Sequence, residues 1–171
     1  VTVSRGLGDV YKRQYLLLAE ILRKENKVND ALKTLYAAKK IEKSNPDIDY
    51  NLSISYKTIK SFREAILSID SAIKLQPKNP IYQILKADIL VEFFKNEEAK
   101  KLLVNLKLSN DSLLYFQKEI LISKIFINQN KYKLAEDVLL GLRKLFFKES
   151  ILYLNLSDLY FKNRELEKGI L

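Results

Sequence analysis

The sequence predicts an all-α chain of antiparallel helix pairs stacked in a row. Three observations predict it. Ala31, Ala65, Ala99 and Ala135 recur at spacings of 34, 34 and 36 residues, a period at which helical units stack on one another. Apolar residues make up 47% of the 171 residues while Gly numbers 4 and Pro 3, enough for a continuous core but too few turn formers for an all-β chain. Helix-start chemistry also repeats at that period, as Asn45-Pro46-Asp47 and then Asn79-Pro80.

The elements follow in order. Residues 1–14 stand apart: no Met opens the chain, Gly6 and Gly8 fall there, and the stretch resembles a translated sequencing-adapter read-through. Residues 1–11 are read as a non-native leader and set aside, and the chain is expected to be an internal fragment. The first helix is expected over 13–25, with Leu18, Ala19 and Leu22 on its packing side. A polar turn at Asn26–Asn29 leads to a helix over 29–43 carrying Ala31 and Ala38. Asn45 caps a helix over 47–60, with Pro46 at its first position and Asp47 in its first turn. Ser61-Phe62-Arg63-Glu64 matches a capping box opening a helix over 62–75, which carries Ala65 and Ala72.

Asn79-Pro80 opens a helix over 80–94 with Ala87 and Leu90 inward. Lys95-Asn96 turns into a helix over 96–108 around Ala99 and Leu106. The two extra residues of the 36-residue spacing fall in a predicted loop near Ser109–Ser112. Helices over 112–129 and 132–147 follow, joined by Asn128–Lys131, with Ser123, Phe126, Ala135 and Leu142 inward. The last elements are a helix over 150–162, with Leu156, Ser157 and Tyr160, and a shortened one over 165–171 containing Gly169.

The small residues explain the pairing. Each key alanine, and Gly169, has a small partner 12 positions upstream: Ala19, Ser53, Ala87, Ser123 or Ser157. Packed helices lie about 8–10 Å apart depending on the side chains between them. Ala or Ser at the crossing brings the backbones close, and Leu18, Leu22, Tyr56, Phe126 or Tyr160 fills the groove beside it. One hairpin cannot cover its own apolar face, so its neighbours must.

These offsets resemble the tetratricopeptide repeat (TPR) over about residues 12–171. The early aromatic of that pattern is present only as Tyr15, and its late proline stands in register only as Pro77. The resemblance implies repeats over 12–45, 46–79, 80–115 and 116–149, then a truncated one over 150–171. It implies a right-handed superhelical α-solenoid whose concave groove is lined by the first helix of each repeat. The family's ligand-facing positions carry over as three rows. The first is Leu16, Tyr50, Ile84, Ile120 and Leu154. The second is Glu20, Ile54, Asp88, Lys124 and Asp158, and the third Arg23, Lys57, Val91, Ile127 and Phe161. The expected partner-binding residues are Tyr50, Ile54, Lys57, Ile84, Asp88, Val91, Lys124, Asp158 and Phe161. Members that clamp the C-terminal carboxylate of heat-shock chaperones carry Lys and Asn at the first two rows. No repeat here has both, so a partner with an apolar stripe is expected instead, an amphipathic helix or an extended segment.

Chemistry is not expected. Cys and His are absent, which removes disulfides, thiolate metal sites and the commonest general base. Glu97-Glu98 and Glu165/Glu167 read as first-turn acids that favour the helix dipole. Gly6-Leu7-Gly8 is too short for a phosphate loop. No catalytic, cofactor or metal residues are assigned. No apolar run approaches the roughly 18 residues of a membrane span. The net charge of +9 comes from 24 Lys and 6 Arg spread along the chain, which reads as composition more than as a basic patch.

The expected function is a non-catalytic protein-interaction scaffold. Two alternatives stand beside it: the recognition arm of a larger enzyme of glycosyltransferase or sulfotransferase type, and an RNA-binding helical repeat. Nucleic acid is the weaker partner class, because Arg is scarce and most aromatics fall at core offsets. Either fraying at the truncated C-terminus or self-association through it is expected. The compartment is not legible beyond a slight preference for the cytoplasm.

Overall fold

The computed structural model describes residues 2–108 and 111–164, with side chains from residue 13 onward. The described residues form helices and turns with no strand. The helices are α1 (Thr2–Lys24), α2 (Val28–Ile41), α3 (Pro46–Thr58), α4 (Phe62–Leu75), α5 (Pro80–Glu92), α6 (Asn96–Asn105), α7 (Ser112–Asn128), α8 (Tyr132–Leu145) and α9 (Ser150–Lys162). Their bounds lie within a few residues of those expected, except at the start of α1. The helix reaches back to Thr2 because no proline interrupts residues 2–12, and each Gly there costs only about 1 kcal/mol of helix propensity. Adding residues to an existing helix is easy where nucleating one is not. The tenth helix expected over 165–171 lies outside the described residues.

Two compact units divide the chain, residues 1–82 and 83–171. In the first, α1 pairs with α2 and α3 with α4, and α3 also packs on α1 and α2. Its core joins Ala19, Ala31, Leu35, Ala38, Ile48 and Leu52. In the second, α7 pairs with α8, and α9 packs on both. Its core includes Ile120, Ile127, Ala135, Leu139, Leu152, Leu156 and Leu159.

The small residues sit where the pairing requires them. Ala19, Ala31, Ser53, Ala65, Ala87, Ala99, Ser123 and Ala135 are all fully buried. Ser53 Oγ donates to the Ala65 carbonyl at 2.9 Å, so even the polar member of that crossing is satisfied across the hairpin. Ser157 is the exception, being exposed; its expected partner Gly169 lies outside the described residues. An ion pair between half-buried Lys39 of α2 and buried Asp49 of α3 ties one hairpin to the next.

The turns repeat as strictly as the alanines. Asn26, Lys60, Phe94, Asn130 and Arg164 all have φ between 57° and 60°, at spacings of 34, 34, 36 and 34. At the first four, the next N–H bonds back to the carbonyl five residues earlier. Lys27 reaches Leu22, Ser61 reaches Tyr56, Lys95 reaches Leu90 and Lys131 reaches Phe126, all at 2.8–2.9 Å. This is the Schellman closure of a helix end, with a left-handed residue that is usually Gly.

The expected capping box at Ser61 does not form. Ser61 leaves the left-handed turn with ψ 70°, and its side chain makes no cap bond. Caps form at Asn45, which at ψ 114° accepts from Asp47 N, and at Asp111, which at ψ 104° accepts from Leu113 and Leu114 N. Asn79 Oδ1 accepts from Ile81 N at 3.0 Å.

Candidate partner-binding face

In the first unit, α1 and α3 lie side by side and bring their predicted residues to one half-exposed face. Leu16 and Arg23 come from α1, and Tyr50, Ile54 and Lys57 from α3; all five are partly buried. Arg23 anchors the face. Its Nη2 donates to Asn51 Oδ1 at 3.0 Å and its Nη1 to Ser55 Oγ at 3.4 Å. Asn51 is held in turn by the Asp47 carbonyl at 2.8 Å, and Ser55 by the Asn51 carbonyl at 2.9 Å. Both acceptors of the guanidinium are neutral. The neighbouring carboxylate, Glu20, is engaged by Lys24 at 2.7 Å. Burial draws the Arg23 pKa down, opposed by the charges of Glu20 and Tyr50. The face therefore holds a positioned cation whose hydrogen-bond partners carry no charge.

Tyr50 is fixed from the other side. Its ring lies 5.3 Å from that of Tyr82 at a tilt of 35°, the offset geometry that aromatic pairs prefer. Tyr82 is buried and its hydroxyl donates to Asp47 Oδ1 at 3.0 Å. Burial pushes the Tyr50 hydroxyl up from its ordinary pKa, with Arg23 pulling the other way. Burial, and then the bond to Asp47, push that of Tyr82 up further.

In α5 and α7 of the second unit the first and third rows are closed. Ile84, Val91, Ile120 and Ile127 are buried, which removes Ile84 and Val91 as partner-contacting residues. The reason is visible at Ile120 and Ile127, which share a core cluster with Leu152, Leu156 and Leu159 of α9. The first helix of the following pair covers this register, and short branched side chains do not emerge past it. In the first unit Arg23 of α1 is long enough to reach past α3. Asp88 and Lys124 are half-buried. Asp158 is exposed and paired with Lys162 at 3.1 Å, and Phe161 is exposed. The polar anchors Asn51 and Ser55 were missed by sequence reasoning. Their only signal is that they stand one period after Leu17 and Ile21, where α3 would meet Arg23.

Among the described residues, no cluster of His, Cys, Asp or Glu is arranged to hold a metal ion, and no helix is long and apolar enough to cross a membrane. An open cavity of about 460 Å³ beside α8 and α9 is lined by residues including Asn130, Tyr132, Glu136, Leu159 and Tyr160. Tyr160 donates to Glu136 Oε1 there at 3.1 Å.

No protein-family model matches the chain, and no curated protein matches it in sequence. Solved structures do. A tetratricopeptide repeat protein from Parabacteroides merdae superposes with a TM-score of 0.76 at 16% identity, over 93% of this chain and 61% of that one. The present chain thus spans about three fifths of that protein's length. PilF of Pseudomonas aeruginosa gives a TM-score of 0.76 at 19% identity, covering 95% and 73%. YrrB, a TPR protein with an unusual peptide-binding site, gives 0.58 at 19% identity, covering 91% and 79%. Paired helices on a 34-residue period, closed by one recurring turn, give this chain the tetratricopeptide-repeat fold.

Proposed function

We propose that the chain is a non-catalytic scaffold that binds a protein segment on the α1/α3 face. The observation that carries this reading is the Arg23 anchor. A guanidinium held by the neutral groups of Asn51 and Ser55 sits among the half-exposed apolar surfaces of Leu16, Tyr50 and Ile54. Its geometry is set before any partner arrives, which reduces the ordering cost of binding. The chemistry that fits is a segment with apolar side chains spaced along one edge and a carboxylate among them. The net charge of +9 favours the approach of such an acidic partner. YrrB, which shares the fold, supports peptide recognition on this framework.

A displayed library of random short peptides, selected on the wild-type chain, tests the reading. Enriched peptides are expected to combine apolar and acidic residues. Tyr50→Ala and Arg23→Ala should each weaken the best peptide by at least about tenfold, or roughly 1.4 kcal/mol. Leu67→Ala, at an exposed position of α4, should leave it unchanged. Peptides that bind Tyr50→Ala and Arg23→Ala as tightly as wild type would place recognition on another surface.

A further inference from the structure

One end of the first unit gathers lysines around exposed aliphatic side chains. Three helix ends meet there. Four residues separate α2 from α3, and the Lys39–Asp49 ion pair ties the last turn of α2 to the first turn of α3. Helix α4 returns along α3 after a three-residue turn, so its last turn lies beside the same start. The opening turn of α5 is held there by Tyr82, whose hydroxyl donates to Asp47 Oδ1 at 3.0 Å.

This end carries Lys40, Lys43, Lys74 and Lys78, all exposed. None of the four forms an ion pair or a hydrogen bond among the described residues. The acids nearby are already engaged: Asp49 by Lys39, Asp47 by Tyr82, and Glu42 by Asn45 Nδ2 at 2.7 Å. The opposite end of the unit is neutralised instead. There Lys24, Lys27 and Lys33 pair with Glu20, Glu25 and Asp30 at 2.7, 2.7 and 2.9 Å. The helix dipole accounts for Lys40 and Lys74, which stand in last turns. It falls off within that turn and does not account for Lys43 and Lys78, which lie beyond their helices.

Among these lysines stand Ile41, Leu75 and Ile81, 67%, 44% and 47% exposed. Ile41 and Leu75 hold one register a period apart, each the last residue of its helix. Leu75 stays exposed although one hairpin precedes its own and another follows it in the chain. Helix ends and two four-residue links make up this surface, so it lacks the paired helix walls that seat a peptide. Its free cations are all Lys and its exposed apolar residues are aliphatic, where a single-stranded nucleic acid asks for Arg and aromatic faces to stack on. A lipid surface asks for neither. Ammonium groups meet its anionic headgroups, and aliphatic side chains enter the boundary beneath them.

We propose that this end of the first unit docks on an anionic phospholipid bilayer. Ile41, Leu75 and Ile81 enter below the headgroups, and the four lysines lie among them. The chain then rests on the membrane without crossing it, through residues other than those of the α1/α3 face.

Co-sedimentation of the 171-residue chain with phosphatidylcholine vesicles containing about 30% phosphatidylserine, in about 0.1 M salt, tests this. Binding is expected on these vesicles and not on pure phosphatidylcholine. Lys40→Gln/Lys43→Gln/Lys74→Gln/Lys78→Gln should lose at least about a hundredfold in partitioning. Ile41→Ser/Ile81→Ser should lose at least about tenfold. Lys24→Gln/Lys27→Gln/Lys33→Gln/Lys60→Gln removes the same charge from the opposite end and should lose no more than about threefold. All the replaced side chains are exposed, so circular dichroism should read every variant as wild type. Four results would overturn the proposal. The first is a wild-type chain that stays in the supernatant. The second is equal loss in the two lysine sets, which reduces the attraction to net charge. The third is full binding by Ile41→Ser/Ile81→Ser, which leaves a contact that any polyanion could make. The fourth is tighter binding to polyuridine than to vesicles, lost in the same variants, which hands the face to nucleic acid.

Discussion

The first-helix rows of the two units differ in side-chain length, and that difference separates surface from core. At the third row, α1 and α3 carry Arg23 and Lys57, both half-exposed. The same register in α5 and α7 is held by Val91 and Ile127, both buried. The backbone plan is shared, so the register alone does not make a binding surface. A long polar side chain extends past the next helix and keeps a wet end. A branched aliphatic ends inside the joint and becomes packing. The first unit therefore keeps long polar side chains at the surface at the register where α5 and α7 hold buried aliphatics.

The largest expected effect comes from cutting both positions back to alanine. Ile127→Ala removes a buried side chain from the α7–α9 cluster and should destabilise by about 2–5 kcal/mol. Arg23→Ala removes two hydrogen bonds on a half-exposed face and should cost only about 1.5 kcal/mol, the low end for hydrogen bonds to charged groups. Urea midpoints followed by circular dichroism read both. Equal losses would erase the distinction between the two units.

A smaller contrast lies in alkaline solution. Tyr56 of the first unit has its hydroxyl pushed up from its ordinary value of 10.0 to about 12. Burial is the first cause, and the 2.7 Å hydrogen bond between its hydroxyl and that of Tyr36 the second. The unfolded chain ionises this tyrosine first. Its contribution to stability is whole below pH 10 and is lost as the pH rises toward 12. Tyr50 and Tyr82, also raised, add losses of the same sign. Between those two pH values the wild type should lose stability faster than Tyr56→Phe, which has no proton to give up there. Tyr36→Phe should lower the midpoint of Tyr56 in a tyrosinate absorbance titration. Parallel pH–stability curves for wild type and Tyr56→Phe would contradict the assignment.

What the sequence made legible follows from what leaves a local mark. Small residues at helix crossings have no substitute, so Ala31, Ala65, Ala99 and Ala135 announced the pairing, and Asn45 and Asn79 announced helix starts by their chemistry. The status of Ile84 and Val91 depended on whether a following helix covers them. That is a relation between distant residues, and both readings place an apolar side chain at the same register. The Arg23 anchor was hidden similarly, because Asn51 and Ser55 are unremarkable until α3 is laid against α1. Ser61 misled in the opposite way. Its sequence satisfies a capping box, but the left-handed residue before it leaves the backbone at ψ 70°, and that residue is Lys60, which carries no turn signal.

The recurring turn supplies the smallest and cleanest contrast. Phe94 in the second hairpin turn of this kind after Asn26, and Asn130 in the third, share the same left-handed backbone, φ 59° and 57°. An L-residue with a Cβ gives up roughly 1–2 kcal/mol in that region, which Gly does not, whereas Asn visits it readily. Phe94 is 77% exposed, so removing its ring sacrifices little packing. Set against the extra freedom Gly brings to the unfolded chain, Phe94→Gly should gain about 0.5–1 kcal/mol. Asn130→Gly should gain nothing. Asn tolerates the conformation already, and its Oδ1 accepts from the Tyr132 hydroxyl at 2.7 Å, a bond that Gly cannot make. Thermal midpoints of the two variants decide the matter. A fall for Phe94→Gly would mean that the ring itself stabilises the turn, and a rise for Asn130→Gly would mean that asparagine is strained there as well.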